Sequence, residues 1–216
     1  MQSLNTFIFD VDGVLLDTHN FHYLAWKKLF DEIKVPYDIK INNAQTSGQP
    51  RNTAIKNILP EIKNDELDLL ADKKQKYFLE ILEKNRLDFL EGADKILTHL
   101  KKQGYKIAAA SSSKNAPALL KKTGLEKYLD TIVSGYDFKN PKPDPEIFLL
   151  ACTKLGSKPE NSVVFEDASI GIEAAKSAGM TAIGITSSGD TEINKKADFV
   201  IKSLSEYKLF LNNYKL

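Results

Sequence analysis

The stretch Asn5-Thr6-Phe7-Ile8-Phe9-Asp10-Val11-Asp12-Gly13-Val14 decides the fold of this chain. Its first half is short, apolar and β-prone, which is typical of a buried strand. Two carboxylates come next where the strand ends, and a glycine then lets the chain turn. Residues i and i+2 of an extended backbone point the same way, so we expect Asp10 and Asp12 to face one pocket.

Two carboxylates at the end of a buried strand are costly unless positive charge compensates them. A hard divalent cation is the simplest compensation. One aspartate could then attack as a nucleophile while the other moves a proton. The alternative is a polar turn after a strand, with Asp12 and Gly13 as ordinary turn residues.

The second half of the sequence alternates predicted strands with predicted helices. Further strands are expected at 105–110, 131–133, 162–165, 181–185 and 198–201, with helices at 116–123, 146–155 and 170–178. This alternation predicts an α/β fold, a Rossmann-like parallel sheet covered by helices on both faces. In such sheets the chemistry gathers at the carboxyl ends of the strands.

The region after the first strand breaks this alternation. It contains almost no β-branched runs, and helices are expected at 22–30, 53–59 and 65–83. We therefore predict an α/β core domain at 1–16 and 89–216 with an inserted helical cap domain at 17–88, joined by hinge strands at 16–18 and 87–92. The run Lys73-Lys74-Gln75-Lys76 is interpreted as a solvated helix face rather than a nucleic-acid patch.

The composition excludes several classes of protein. The 216 residues include 42% hydrophobic residues, 30 basic and 29 acidic side chains, and a net charge of +1. That balance gives no pull toward nucleic acid or membranes. Cys152 is the only cysteine, so no internal disulfide can form, and its apolar helical surroundings predict a core position. Asp10 and Asp12 interrupt the apolar N-terminal stretch, so no signal peptide is expected. No apolar run is long enough to cross a bilayer. A cytoplasmic location is therefore expected.

A serine-rich loop comes after the second predicted strand. Ser111-Ser112-Ser113-Lys114-Asn115 offers hydroxyl and backbone N–H groups just before a helix, which is a good anion site. The alternative is that Ser113 or Asn115 caps the helix that begins near Ala116. Both can hold, because a cap and a phosphate use different N–H groups.

Two further motifs lie at strand ends. Pro141-Lys142-Pro143-Asp144-Pro145 holds a lysine in a stiffened loop, where its ammonium would screen carboxylates and a phosphate; the alternative is an exposed loop lysine. Glu166-Asp167 comes after another strand and would complete a carboxylate cage. Oxygen ligands without a histidine or cysteine cluster favour Mg²⁺ over Zn²⁺. Alternatively, Asp167 or Ser169 only caps the next helix.

Together these motifs resemble, from end to end, the haloacid dehalogenase superfamily. An acid pair, a serine loop, an isolated lysine and a second acid pair lie after strands in that order. Within the superfamily the chain is most similar to the β-phosphoglucomutase-like subfamily. The residues that support this likeness are Asp17-Thr18, His22, Ala25-Trp26, Gly48, Arg51 and, most specifically, the run Ser111 to Asn115.

The resemblance implies phosphoryl transfer through an aspartyl phosphate. Asp10 would be the nucleophile and Asp12 the general acid and base. The cofactor would be Mg²⁺, held by Asp10, the Asp12 carbonyl and Asp167, with Glu166 close by. The implied phosphate- and substrate-binding residues are Thr18, His22, Gly48, Arg51, Lys74, Ser111, Ser112, Lys114, Asn115 and Lys142.

The reaction implied is that of a β-phosphoglucomutase, with hydrolysis of small sugar phosphates as the alternative and a non-catalytic sugar-phosphate sensor as a third. The run Gln49-Pro50-Arg51-Asn52-Thr53 departs from the subfamily pattern, which leaves substrate preference open. His22 could also be a core histidine, and Trp26 is expected in the cap core. The expected partner is a small sugar phosphate, without nucleic acid or membrane, and the chain is expected to be a monomer.

Overall fold

The computed structural model describes residues 4–186 and 192–214. The chain divides into two compact units. One consists of Met1–Asp17 and Asp88–Leu216, and the other of Thr18–Leu87. The first unit contains a sheet and its flanking helices, and the second is helical.

The helices number α1 to α10 in chain order. The helical unit contains α1 His19–Glu32, α2 Ile39–Ile41, a π-helix at Asn42–Thr46, α3 Arg51–Ile58 and α4 Asn64–Lys84. The other unit contains α5 Ala93–Lys102, α6 Ala116–Thr123, α7 Glu146–Lys154, α8 Ser169–Ser177, α9 Ile193–Lys196 and α10 Tyr207–Tyr214, with 3₁₀ turns at Leu125–Tyr128, Pro159–Asn161 and Leu204–Glu206.

Six parallel strands form one sheet in the order β3-β2-β1-β4-β5-β6. The strands are β1 Thr6–Phe9, β2 Lys106–Ala110, β3 Thr131–Val133, β4 Ser162–Glu166, β5 Thr181–Ile185 and β6 Phe199–Ile201. Each predicted strand is present with ends that agree to within about a residue, a margin inside ordinary assignment differences. The predicted Rossmann-like α/β core is therefore confirmed.

The strand order reverses between β1 and β4. The chain winds from β1 through β2 to β3 on one side, then returns to β4 and continues to β6 on the other. Loops that leave β1 and β4 therefore diverge, and a crevice opens at the carboxyl ends of these two strands. This is where a doubly wound sheet binds its ligands.

Alternate residues of the central strands pack against helices on opposite faces of the sheet. Ile8 and Val164 belong to a buried cluster with Phe148 of α7 and Ile172 of α8. That cluster also contains Cys152, so the predicted core position of the cysteine is confirmed.

The opposite face is aromatic. The ring of Phe210 in α10 lies 6.4 Å from that of Phe7 and 5.6 Å from that of Phe165, edge to face in both cases. Both faces of β1 and β4 are thus sealed from water, and the polar residues after them are held on a rigid base.

The helical unit is organised around α1 and α4. Trp26 is 3% exposed and its ring stacks 5.7 Å from that of Phe30, so its expected core position is confirmed. Ion pairs of Lys28 with Glu80 and of Lys73 with Glu32 join the outer edges of the two helices. Exposed pairs of this kind contribute little each, so the apolar contact carries most of the stability.

The interpretation of the lysine run 73–76 as a solvated face is wrong for one member. Lys74 is only 2% exposed, although it lies between the half-exposed Lys73 and the exposed Lys76. Its ammonium lies 4.8 Å from the ring centroid of Trp26 and 5.0 Å from that of Phe78. Aromatic faces attract a cation and offset part of its lost hydration.

The predicted hinge strands at 16–18 and 87–92 are also corrected. Leu16 and Phe89 form a single antiparallel bridge, and the Leu90 N–H donates to the Leu15 carbonyl at 2.9 Å, but neither segment is long enough to count as a strand. Gly92 takes a left-handed conformation, with φ at 89°, and α5 begins directly after it. The extended segment that contains Phe89 therefore ends before Gly92, earlier than predicted.

Of the helices in residues 4–186 and 192–214, none combines the length and the apolar character needed to cross a membrane.

Candidate active site

The register of the sheet places two acidic residues side by side. Phe9 of β1 pairs with Phe165 of β4, so Asp10 comes next to Glu166 where both strands end. The Asp10 N–H donates to the Phe165 carbonyl at 3.0 Å, which extends the ladder by one bond. Asp10 is 6% exposed and Glu166 is 1% exposed. Both carboxylates are therefore buried at the point where the strand order reverses.

Lys142 links these two carboxylates. Its Nζ donates to Asp10 Oδ1 at 2.5 Å and makes a second, shorter contact with Glu166 Oε1. The lysine side chain is 5% exposed, so the alternative of an exposed loop lysine is wrong. The proline-rich loop before α7 delivers it, and Phe148 of that helix has its ring centroid 5.1 Å from the ammonium.

The charges around Asp10 do not balance. Burial raises the pKa of Asp10 well above its usual range; Lys142 opposes this, and Glu166, Asp12 and Asp167 reinforce it. Burial also disfavours the Lys142 ammonium, but Asp10 and Glu166 outweigh it and hold the pKa of Lys142 above its usual range. Asp10 thus interacts with three other carboxyl groups and with one ammonium, and the site favours additional positive charge.

The second oxygen of Glu166 is held by the backbone. Glu166 Oε2 accepts hydrogen bonds from the N–H groups of Asp167 at 3.0 Å and Ala168 at 3.1 Å. Ala168 is the N-cap of α8 and makes no side-chain capping bond, so neither Asp167 nor Ser169 is the N-cap residue of this helix. Glu166 is fixed by the lysine at one oxygen and by the main chain at the other.

The loop after β2 brings Ser111 to Asp12. The Ser111 N–H donates to the Val133 carbonyl of β3 at 3.0 Å, which fixes the loop to the neighbouring strand. Ser111 Oγ donates to Asp12 Oδ2 at 3.1 Å and accepts from the Ser113 N–H at 3.0 Å. The Ser111 hydroxyl and the Asp12 carboxylate, which follow the adjacent strands β2 and β1, therefore lie together at one edge of the sheet.

The rest of this loop presents polar groups. Ser113 Oγ accepts from the Asn115 N–H at 3.1 Å, whereas Asn115, the N-cap of α6, makes no side-chain capping bond. Ser112 Oγ is buried and has no hydrogen-bond partner within the described part of the chain. A buried hydroxyl without a partner is costly, so a ligand oxygen at this point would be stabilised. Lys114 is exposed, with its ammonium 5.1 Å from the ring centroid of Tyr136.

Sequence reasoning missed the residue that gives this loop its space. A Cβ atom at Gly135 would lie 2.4 Å from the Ser112 carbonyl oxygen and 3.2 Å from the Lys114 nitrogen. Only a glycine lets the chain after β3 approach the loop so closely. A glycine two residues after the end of a strand, at the functional edge of the sheet, is the signal that could have identified it.

Comparison with known proteins identifies the family. A family model described as "Haloacid dehalogenase-like hydrolase" matches residues 7–185, from β1 to the end of β5. This chain is a member of the haloacid dehalogenase-like hydrolase family. The match includes all four strand-end motifs, so the resemblance inferred from them is confirmed.

Two relatives of this family member have different named activities. A β-phosphoglucomutase of Bacillus subtilis is 36% identical and covers 94% of this chain and 92% of its own. A phosphorylated carbohydrates phosphatase of Thermotoga maritima is also 36% identical, over 82% of both chains. The crystal structure of a β-phosphoglucomutase from Clostridium difficile superimposes with a TM-score of 0.89 at 33% identity, over 98% of this chain and 97% of that one.

In the helical unit of this haloacid dehalogenase-like hydrolase, His22 and Lys74 form a pair. Lys74 Nζ lies 2.7 Å from His22 Nδ1, and the His22 ring stacks on Phe78 at 4.3 Å. An ammonium can only donate, so pairing with a charged Lys74 requires His22 Nδ1 to be the acceptor. His22 is half-buried. Its ring packs on Phe78, and its Nδ1 contacts Lys74 Nζ.

The other residues singled out in the helical unit lie in different settings. Arg51 begins α3, and its Nη1 donates to the Ala71 carbonyl at 3.0 Å. Thr18 is fully buried just before α1. Gly48 has a φ of 71°, a left-handed conformation that favours glycine.

Within residues 4–186 and 192–214, no group of three or more histidine, cysteine, aspartate or glutamate side chains has the geometry of a metal centre. Lys142 instead lies between Asp10 and Glu166. The donor set nevertheless suits a hard cation, because carboxylates are the preferred ligands of Mg²⁺ and outnumber the one lysine.

Proposed function

We propose that this chain is a Mg²⁺-dependent phosphotransferase that converts β-D-glucose 1-phosphate to glucose 6-phosphate through a phosphorylated Asp10. The observation that supports this most is the buried Asp10 carboxylate, held by Lys142, with Asp12 two residues further on and bonded to Ser111. The B. subtilis and C. difficile relatives have the same named activity over nearly the full chain.

In this proposal Asp10 is the nucleophile. A carboxylate oxygen of Asp10 attacks the phosphorus of a glucose 1,6-bisphosphate, and the phosphorus–oxygen bond to the sugar breaks. Asp12 gives a proton to the departing sugar oxygen. In the reverse direction Asp12 takes the proton of a sugar hydroxyl as that oxygen attacks the phosphoryl group on Asp10.

Ser111 and Lys142 are assigned to the transferring phosphoryl group. Lys142 brings its positive charge to the oxygen of Asp10 and so reduces the repulsion between an anionic carboxylate and an anionic phosphate. The Ser111 hydroxyl bonds Asp12, which orients the proton-transfer group. Ser112, Lys114 and Asn115 are assigned to the second phosphate or the sugar. The buried Ser112 hydroxyl supports this because a substrate oxygen would provide the partner it lacks within the described part of the chain.

The metal would be held by Asp10, Asp167 and the main-chain carbonyl of Asp12, with Glu166 close by. When bound, Mg²⁺ supplies positive charge that neutralises the phosphate during transfer. The excess of carboxylates over lysine in this site supports the assignment.

Removing the metal should stop turnover. EDTA should abolish activity, added Mg²⁺ should restore it, and Ca²⁺ should support it poorly because it is larger and less strictly octahedral. Mg²⁺ should also raise the melting temperature of the wild-type protein in the absence of substrate, since a ligand that binds only the folded state stabilises it. Asp167→Asn should lose this thermal shift. Full activity in EDTA, or an equal shift in the variant, would contradict the assignment.

The helical unit is proposed to act as the cap of the family, with core at 1–16 and 89–216 and cap at 17–88. In this assignment Arg51 binds the distal phosphate, because its planar fork suits that group. Thr18 and His22 are assigned to the hinge, where they would help to move Asp12 into the site, and Gly48 is assigned to substrate binding. Lys74 is assigned to the sugar, and its side chain is buried beside His22 Nδ1.

Arg51→Ala should separate isomerisation from phosphorylation. A bidentate guanidinium–phosphate contact is strong, and its loss should reduce isomerisation of β-glucose 1-phosphate by roughly 30- to 1,000-fold. Acetyl phosphate has no distal phosphate, so phosphorylation of Asp10 by this donor should be nearly unchanged. Steady-state isomerisation and a rapid-quench assay of phosphoenzyme would measure the two reactions.

The control is Lys56→Ala, which removes an exposed cation from the same helix. It should change neither reaction. An equal loss of both reactions in Arg51→Ala would show that the arginine supports the fold through its bond to the Ala71 carbonyl. Unchanged isomerisation would assign the distal phosphate to another residue, with Lys74 the next candidate.

A phosphatase acting on small sugar phosphates is the second candidate, because a T. maritima relative with that named activity is also 36% identical, over 82% of this chain. Product analysis distinguishes the two. With β-glucose 1-phosphate and a trace of glucose 1,6-bisphosphate, a mutase yields glucose 6-phosphate and needs the trace of bisphosphate. A phosphatase releases inorganic phosphate and does not need the bisphosphate.

We also propose a cytoplasmic monomer that binds neither nucleic acid nor membranes, in line with its single cysteine and balanced charge.

A further inference from the structure

Gly171 occupies a place where local structure does not require glycine. It is the third residue of α8, Ser169–Ser177, and it is buried. Glycine is among the least favourable residues in a helix, because it loses the most backbone freedom on folding. Its φ is not in the left-handed range, in contrast to Gly179 at the end of the same helix. The reason for glycine must therefore be the space around it.

That space is filled by the carboxylate of Glu166. A Cβ atom built on Gly171 would lie 2.0 Å from Glu166 Oε1, 2.1 Å from Cδ and 2.6 Å from Oε2. Real side-chain contacts are never this short, so alanine at this position and the present Glu166 conformation exclude each other.

Glu166 cannot move away without losing its partners. Lys142 holds one of its oxygens, and the N–H groups of Asp167 and Ala168 hold the other. The residue is 1% exposed, so a displaced carboxylate would find no water to replace these bonds. Lys142 is shared with Asp10, so a shift of Glu166 would also disturb the lysine beside Asp10.

We propose that Gly171 is a positioning residue: the absence of a side chain there allows Glu166 to hold Lys142 against Asp10. The effect on catalysis rests on the proposed function, whereas the coupling between Gly171 and Glu166 does not. The prediction is that Gly171 matters only when the Glu166 carboxylate is present.

A double-mutant cycle tests this, with Gly171→Ala, Glu166→Ala and the combination. Gly171→Ala should reduce Asp10 phosphorylation at least about tenfold and lower the melting temperature by about 4 °C. In the Glu166→Ala background the same substitution should not lower the melting temperature, and it should slightly raise it, because alanine is the better helix former. Phosphoenzyme formation from acetyl phosphate and thermal unfolding without substrate are the two measurements.

Gly179→Ala is the matched control. It makes the same substitution at the C-terminal end of the same helix, where φ is 75° and no atom of the residues that the structure describes lies within 4 Å of the added carbon. It should lower the melting temperature through backbone strain in both backgrounds and leave phosphorylation unchanged. If Gly171→Ala behaves like this control, or costs nothing beside an intact Glu166, the proposal is wrong. If the wild-type protein forms no phosphoenzyme, the proposed function is wrong. The melting temperatures of the double-mutant cycle then still test the coupling between Gly171 and Glu166.

Discussion

Asp10→Asn should abolish turnover while the protein remains folded. The amide is a poor nucleophile, and loss of a catalytic nucleophile costs at least about a thousandfold in rate. The backbone bond from the residue 10 N–H to Phe165 does not depend on the side chain, and Lys142 keeps its contact with Glu166. The neutral amide also removes one charge from a site with excess carboxylate, so the melting temperature should not fall. Activity and thermal unfolding would be measured on freshly purified protein to exclude deamidation.

The companion variant is Asp12→Asn, which should show a different pattern. Without its general acid, transfer to or from a sugar should slow by roughly 10²- to 10⁴-fold. Phosphorylation from acetyl phosphate should be affected less, because acetate is a good leaving group that needs no proton. If Asp10→Asn retains more than about one per cent of activity, Asp10 is not the nucleophile. If Asp12→Asn loses phosphorylation from acetyl phosphate as fully as Asp10→Asn does, the role of Asp12 as general acid is contradicted.

Lys142→Ala should destabilise the protein and also inactivate it. The lysine is the buried cation between Asp10 and Glu166, and its removal leaves two carboxylates with no counter-charge from this side chain. Breaking a buried ion pair from one side costs about 3–5 kcal/mol of unfolding free energy. Loss of a positioned donor at the reacting phosphate should cost roughly 10²- to 10³-fold in rate. Urea unfolding and steady-state kinetics would measure the two effects.

Lys139→Ala is the control, because it removes an exposed lysine three positions earlier in the same loop. It should change stability and rate very little. The combination of Lys142→Ala with Asp10→Asn should recover part of the lost stability, since one of the two uncompensated charges is gone. If Lys142→Ala is as stable as the parent protein, the buried lysine does not compensate these carboxylates.

The strands and the convergence of the motifs were predictable because both depend on local patterns and one topological rule. Short apolar runs that end in turns mark the strands, and parallel strands place the residues after their carboxyl ends at the same edge of the sheet. This rule alone brings Asp10, Ser111 and Glu166 to one edge. The register then makes Asp10 and Glu166 neighbours.

The pairings inside the site could not be predicted in this way. Nothing in the sequence says that Lys142 bonds Glu166 as well as Asp10, or that Ser111 bonds Asp12, since these contacts depend on tertiary distances of a few ångströms. The buried Lys74 was missed for the same reason. A lysine run on a helix favours a solvated face, and only the packing of Trp26 against α4 supplies the aromatic surroundings.

The account is tested most directly by identifying the residue that becomes phosphorylated. The enzyme would be incubated with Mg²⁺ and glucose 1,6-bisphosphate, quenched rapidly and reduced with tritiated borohydride, which converts an aspartyl phosphate to labelled homoserine; peptide mapping then locates the label. The account predicts label at Asp10 and none in Asp10→Asn. Label at Asp12 or Glu166, or steady turnover with no labelled residue, would contradict it.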